Sequence, residues 1–161
     1  MIKALIHWIE GTAASQVIQT VFWIIPTVQI AHILCVSIVI SSMAMLDFRL
    51  LGLALNRHSI PVLAHRFMPW LCGALCVLLL SGLVLIIGEP GRSLGNWVFQ
   101  LKMGLLLLAV LASLSFTYKL KHDAGFWERT TRRHALSRLF GLLSLILWVG
   151  IVVCGRWIAY V

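Results

Sequence analysis

Residues 62–87 read VLAHRFMPWLCGALCVLLLSGLVLII, and beyond Arg66 the stretch holds no charged side chain. A hydrocarbon core of about 30 Å is crossed by roughly 20 helical residues, so the segment is long enough to span a bilayer. It is apolar all round, so its pattern has no period to read. Its length excludes a barrel strand, which needs only about ten residues. A membrane-spanning helix is the reading that satisfies every backbone polar group inside lipid.

Three further stretches repeat this character: residues 25–51, 97–120 and 136–160. The chain is 61% hydrophobic and 11% charged, and no soluble domain of 161 residues could cover that much apolar surface. The expected fold class is therefore all-α, an integral membrane four-helix bundle over residues 25–161. Residues 1–24, MIKALIHWIEGTAASQVIQTVFWI, differ in kind, because Lys3, His7, Glu10 and Gln16 interrupt apolar residues at helical spacing. They are expected to form one amphipathic helix lying at the membrane interface. The charged region is too thin and the apolar run too broken for a cleaved signal peptide.

The net charge of +8 is concentrated in two places. Arg49, Arg57 and Arg66 flank the first connection, and Lys119, Lys121, Arg129, Arg132, Arg133 and Arg138 flank the third. Both connections fall on one side of a four-span protein, so the positive-inside rule makes that side cytoplasmic. The expectation is a multi-pass protein of the bacterial inner membrane with both termini periplasmic. The same charges are read as a solvated anchoring face, not as a nucleic-acid site. Cys35, Cys72, Cys76 and Cys154 all lie within spans, which does not fit a disulfide framework. Ser59 and Pro61 are expected to cap and start the second span, and residues 122–133 to add an amphipathic turn or two before the fourth.

Polar residues inside the spans mark candidate sites, since each is costly in lipid. At 1.5 Å per residue, His32 lies about 10 Å below the start of its span, Lys102 about 8 Å, and Arg156 about 6–8 Å short of the end. All three belong to the same outer third. Gln29 and His32 share a stripe with Val36, Met43 and Asp47 on the first span, which is expected to turn inward. If the three cationic or ionisable groups converge, they make a site for an anion or a polarisable carbonyl. Haem propionates with His32 as axial ligand, or a quinone head group with His32 on one oxygen, both satisfy that description. His7, on the interfacial segment, is the outer candidate for a second axial ligand.

His65 and His134 stand at similar heights on parallel spans and form a secondary pair for haem iron. His65, Cys72 and Cys76 share a face of the second span, and with Met43 they would suit Cu(I). Gly73 and Gly82 are read as points of close helix approach. Asp47 and Arg49 point about 200° apart on one helix, so each is expected to find a partner on another element. Arg66 or Arg138 would complete a bundle-locking ion pair with Asp47. No nucleophile with its base, phosphate-cradling loop or pair of carboxylates is present, so self-contained hydrolytic or group-transfer chemistry is not expected.

Four segments carry a resemblance: IPTVQIAHIL (25–34), LDFRLLG (46–52), NWVFQLKMGLLLLA (96–109) and GRWIAY (155–160). Together they resemble an uncharacterised family of small bacterial four-helix inner-membrane proteins, more distantly similar to the copper-resistance D membrane domain and the cytochrome b561-like bundles. The resemblance implies interest in His32, Asp47, Arg49, Lys102 and Arg156. A b561-like protein generally supplies several paired histidines within its helices, whereas here only His32 lies well inside a span. The leading expectation is a small subunit binding a b-type haem or a quinone in its outer half and supporting electron transfer with a periplasmic or membrane partner. Copper handling and a purely structural anchoring role are the alternatives.

Overall fold

The computed structural model describes residues 2–122, 131–158 and 160. Seven helices follow in order: α1 (Ile2–Glu10), α2 (Ala13–Thr20), α3 (Ile24–Leu51), α4 (Ile60–Gly88), α5 (Pro90–Leu94), α6 (Trp97–His122) and α7 (Thr131–Trp157). Four of them, α3, α4, α6 and α7, are long and apolar enough to cross a membrane. The chain is a multi-pass, all-α membrane protein.

The long helices begin and end within a few residues of the expected bounds, and local chemistry explains the ends. Gly52 terminates α3 with φ of 76°, a left-handed conformation that a glycine adopts without a Cβ penalty. Its N–H bonds back to the Phe48 and Arg49 carbonyls, and Leu53 N–H joins Phe48 O at 3.0 Å. Ser59 occupies the N-cap position of α4 with Pro61 in the first turn, as expected, but its hydroxyl makes no capping bond. Pro69 sits inside α4 and removes one backbone donor there, a loss that membrane helices tolerate.

The single interfacial helix expected over residues 1–24 is two helices. Gly11 and Thr12 break it, with Thr12 Oγ1 donating to the Ile9 carbonyl at 2.6 Å and accepting from the Ser15 amide at 3.3 Å. Ser15 is fully buried, and its hydroxyl donates to the Ile87 carbonyl at 2.7 Å. This bond fastens α2 to the end of α4. The short α5, read from sequence only as a turn, packs beneath α1. Residues 123–130, most of the polar stretch before α7, lie outside the described residues.

Helix α3 packs along both α4 and α7, and α6 packs along α7. The core at their meeting includes Val39, Met43, Leu71, Ala74, Ala109 and Trp148. A smaller cluster of Leu50, Ile60 and Phe116 extends it, with Phe140 stacked on Phe116 at 5.5 Å between ring centroids. Around this thin core many large apolar side chains face outward, among them Ile30, Ile33, Leu79, Leu80, Leu107 and Leu143. In water they would be a liability; in lipid they are the solvated surface.

The topology gives the bundle two ends. Both termini, with α1, α2 and α5, lie at one, here the termini end; the α3–α4 and α6–α7 connections lie at the other, the connection end.

Candidate functional site

His32 sits about 12 Å along α3 from its start, taking 1.5 Å per residue, and is half-buried. Its Nδ1 lies 2.8 Å from Ser81 Oγ on α4. The Ser81 hydroxyl is 2.7 Å from the Val77 carbonyl, to which its single proton is donated. Ser81 therefore accepts from His32 Nδ1–H, and the neutral imidazole is left with its lone pair on Nε2. Beside this bond, the Cβ position of Gly82 lies 3.8 Å from His32 Cε1, an ordinary van der Waals contact, so the imidazole packs against this part of α4.

Lys102 on α6 is half-buried and brings its ammonium within electrostatic range of His32. Its Nζ and Cε lie 3.5 Å and 3.7 Å from the place a Gly155 Cβ would occupy, and the Cys154 thiol is in range of the same ammonium. Three long helices and the side chain from a fourth thus meet at one depth: His32 from α3, Ser81 and Gly82 from α4, Lys102 from α6, and Cys154 and Gly155 from α7.

The other sequence candidates do not join this group. Arg156 is exposed, with its guanidinium 5.6 Å above the Tyr160 ring, the arrangement of a side chain reaching along the helix end toward a membrane surface. Gln29 is exposed on α3, so the polar stripe turns inward only from His32 onward. The His7 side chain is 92% exposed and 3.7 Å from Glu10, so it points away from the bundle. His65 and His134 are exposed. The bis-histidine pair is corrected accordingly: both imidazoles are exposed rather than enclosed between helices.

The copper grouping is likewise divided. Met43 is buried in the core, whereas Cys72, Cys76 and His65 turn outward from α4. Among the described residues no group of three or more His, Cys, Asp or Glu gathers to hold a metal ion. Gly73, read as a close approach, has nothing within 4 Å of where its Cβ would be. The tight crossing is at Gly141 on α7, whose Cβ would meet Leu50 Cβ at 3.0 Å and the Asp47 carbonyl at 3.1 Å.

A family of unknown function (DUF6644) matches residues 5–161. The chain belongs to this family. The resemblance to an uncharacterised membrane family stands on that match; the more distant likeness to copper-resistance D and cytochrome b561 proteins receives none. No curated protein and no solved structure matches the chain.

Asp47 lies near the connection end of α3, 1% exposed. The expected ion pair with Arg66 or Arg138 is not made. The polar group that meets its carboxyl is the Ser144 hydroxyl on α7, and its Oδ2 has no hydrogen-bond partner. Arg138 Nη2 instead stands 3.7 Å from the Cβ position of Gly52, beside the end of α3. Arg49 Nε donates to the His58 carbonyl at 2.7 Å, which ties the end of α3 to the α3–α4 connection. The close approach of α3 and α7 at Gly141 accounts for the difference, because it sets Asp47 against α7 beside Ser144.

Ser81, the hydrogen-bond partner of His32, is not among the residues the sequence singles out. The signal was present, since Ser81 lies about 10 Å from the end of α4 and His32 about 12 Å from the start of α3. Antiparallel neighbours at matched depth place a hydroxyl beside an imidazole.

Proposed function

We propose that the protein is a small subunit of the bacterial inner membrane that binds the head group of a quinone at the termini end of its bundle and supports electron transfer with a periplasmic or membrane partner. The observation that carries this reading is the His32–Ser81 bond, which leaves an acceptor nitrogen, Nε2, on a half-buried imidazole. An imidazole so held suits a ligand that presents a hydroxyl. A reduced quinone does so, and when bound it supplies electrons together with protons.

Each residue has a role in that chemistry. Ser81 fixes the tautomer and the ring plane of His32. With a quinone bound, His32 Nε2 would accept a hydrogen bond from a ring hydroxyl and would be placed to hold that proton. The Lys102 ammonium offsets negative charge developing on that oxygen, an effect strengthened by the low dielectric of the bundle. Exposed apolar side chains beside His32 on α3, Ile30 and Ile33, suit an isoprenoid tail. The positive-inside distribution supports a periplasmic position for this end.

A b-type haem is the second reading, because a hydrogen bond to Nδ1 also orients a metal-ligating histidine. The donor set suits it less well. His32 is the only histidine among the described residues that is not exposed, so a second axial nitrogen has no internal source. The test is a paired assay of protein purified in mild detergent: solvent extraction for quinone, and an absorption spectrum with iron analysis. Quinone in stoichiometric amount supports the first reading, a Soret band with iron supports the second, and neither overturns both.

A further inference from the structure

At the connection end, two small spaces flank Asp47 between the helices. One, of about 170 Å³, is lined by Ile40, Met43 and Ala44 of α3 and by Trp148, Val149 and Val153 of α7, among others. The second is lined by Leu46 and Leu50 of α3, Met68 and Leu71 of α4, Ser113 and Phe116 of α6, and Phe140 of α7. All four long helices therefore surround this carboxyl. Ser113 and Ser144 are the polar side chains they bring, and neither titrates. Of the basic groups on the helices around it, Arg138 stands beside Gly52, Arg49 donates to the His58 carbonyl, and His65 and Arg66 are exposed on α4.

A carboxylate with one hydroxyl contact and one unpartnered oxygen is a poor occupant for such a place. Burying an uncompensated charge costs several kcal/mol, whereas a neutral carboxyl costs far less. Among the described residues no group of three or more His, Cys, Asp or Glu gathers here to hold a metal cation, and the walls of the larger space are almost wholly apolar, a poor setting for water. A proton is the one cation that fits. We propose that Asp47 is a proton-binding site, its carboxyl carrying a proton while the helices are packed in this way and exchanging it with water at the connection end. The assignment is independent of the carrier site at the termini end. Val149 and Val153, which wall the larger space, are about half exposed on the outer side of α7, so that space lies next to lipid.

That position gives the experiment its reagent. A lipid-soluble carbodiimide reacts with a protonated carboxyl by addition: the acid oxygen bonds the central carbon, the acid proton moves to nitrogen, and nothing leaves. Protein in lipid vesicles is treated with N,N′-dicyclohexylcarbodiimide and mapped by mass spectrometry, and the untreated protein is examined by infrared spectroscopy as pH is raised and lowered. The expected result is an adduct at Asp47 that is lost in Asp47→Asn, and a carboxylic C=O band at neutral pH that is lost in the same variant and bleaches reversibly in alkali. Asn is close in size to the neutral acid, and the wild-type infrared titration needs no variant at all. Absence of the band at neutral pH, a band that never responds to pH, or an adduct that survives Asp47→Asn each overturns the assignment.

Discussion

The two polar regions of the bundle lie on the same helix, about 22 Å apart at 1.5 Å per residue, and they solve the problem of polarity in lipid in opposite ways. His32 is half-buried, shares a hydrogen bond with Ser81, packs near Gly82 and has the Lys102 cation in electrostatic range. Asp47 is almost wholly enclosed, has one hydroxyl neighbour, and retains an oxygen with no partner. The first region keeps spare hydrogen-bonding capacity on a half-buried ring. The second has spare capacity enclosed among the helices beside two small, apolar spaces. That difference is why the proposed ligand with a head group is placed at the former and the proposed proton at the latter.

The sharpest way to break this contrast is to change charge at the enclosed end. Asp47→Arg would bury an unpaired guanidinium and is expected to cost about 3–5 kcal/mol, enough to abolish a monodisperse protein in detergent. Asp47→Asn should retain wild-type thermal stability at neutral pH, as read by a melting scan. If Asp47→Asn is instead as damaging as the arginine variant, the residue is held as an ion and the contrast fails.

Packing comes next. Gly141→Val brings a branched side chain against Leu50 and the Asp47 carbonyl and is expected to cost about 1–3 kcal/mol. The comparison that sharpens this is Gly73→Leu, which faces open space on α4 and should shift the melting midpoint little. At the termini end, Ser81→Ala leaves the His32 Nδ1 proton without its acceptor and is expected to cost about 1–2 kcal/mol. Bound carrier should be reduced with it, and Ser81→Thr, which keeps the hydroxyl, should restore binding. The smallest effect belongs to Arg156→Gln, which alters an exposed side chain over Tyr160 and should leave carrier content unchanged.

Much of the fold was legible because lipid imposes a length. The runs starting at Ile25, Val62, Trp97 and Leu136 had to be helices, and α3, α4, α6 and α7 lie where those runs do. The break in the N-terminal segment was also written in the chain, since Gly11 followed by Thr12 and Ser15 is a stop and an N-cap in sequence. Side-chain convergence was only partly legible. Depth put His32, Lys102 and Arg156 at one level, but depth carries no information on rotation, and Arg156 proved to face outward. The same blindness misread Asp47. An acid near arginines suggests an ion pair in one dimension, while Gly141 turns it toward Ser144 and away from Arg138 in three.

Quinone content therefore tests the central claim most directly, measured in wild type, His32→Ala and Asp47→Asn purified side by side. The expected result is quinone in stoichiometric amount with the wild type and with Asp47→Asn, and its loss from His32→Ala. Equal quinone content in all three, or none in any of them, would contradict a carrier site built on His32.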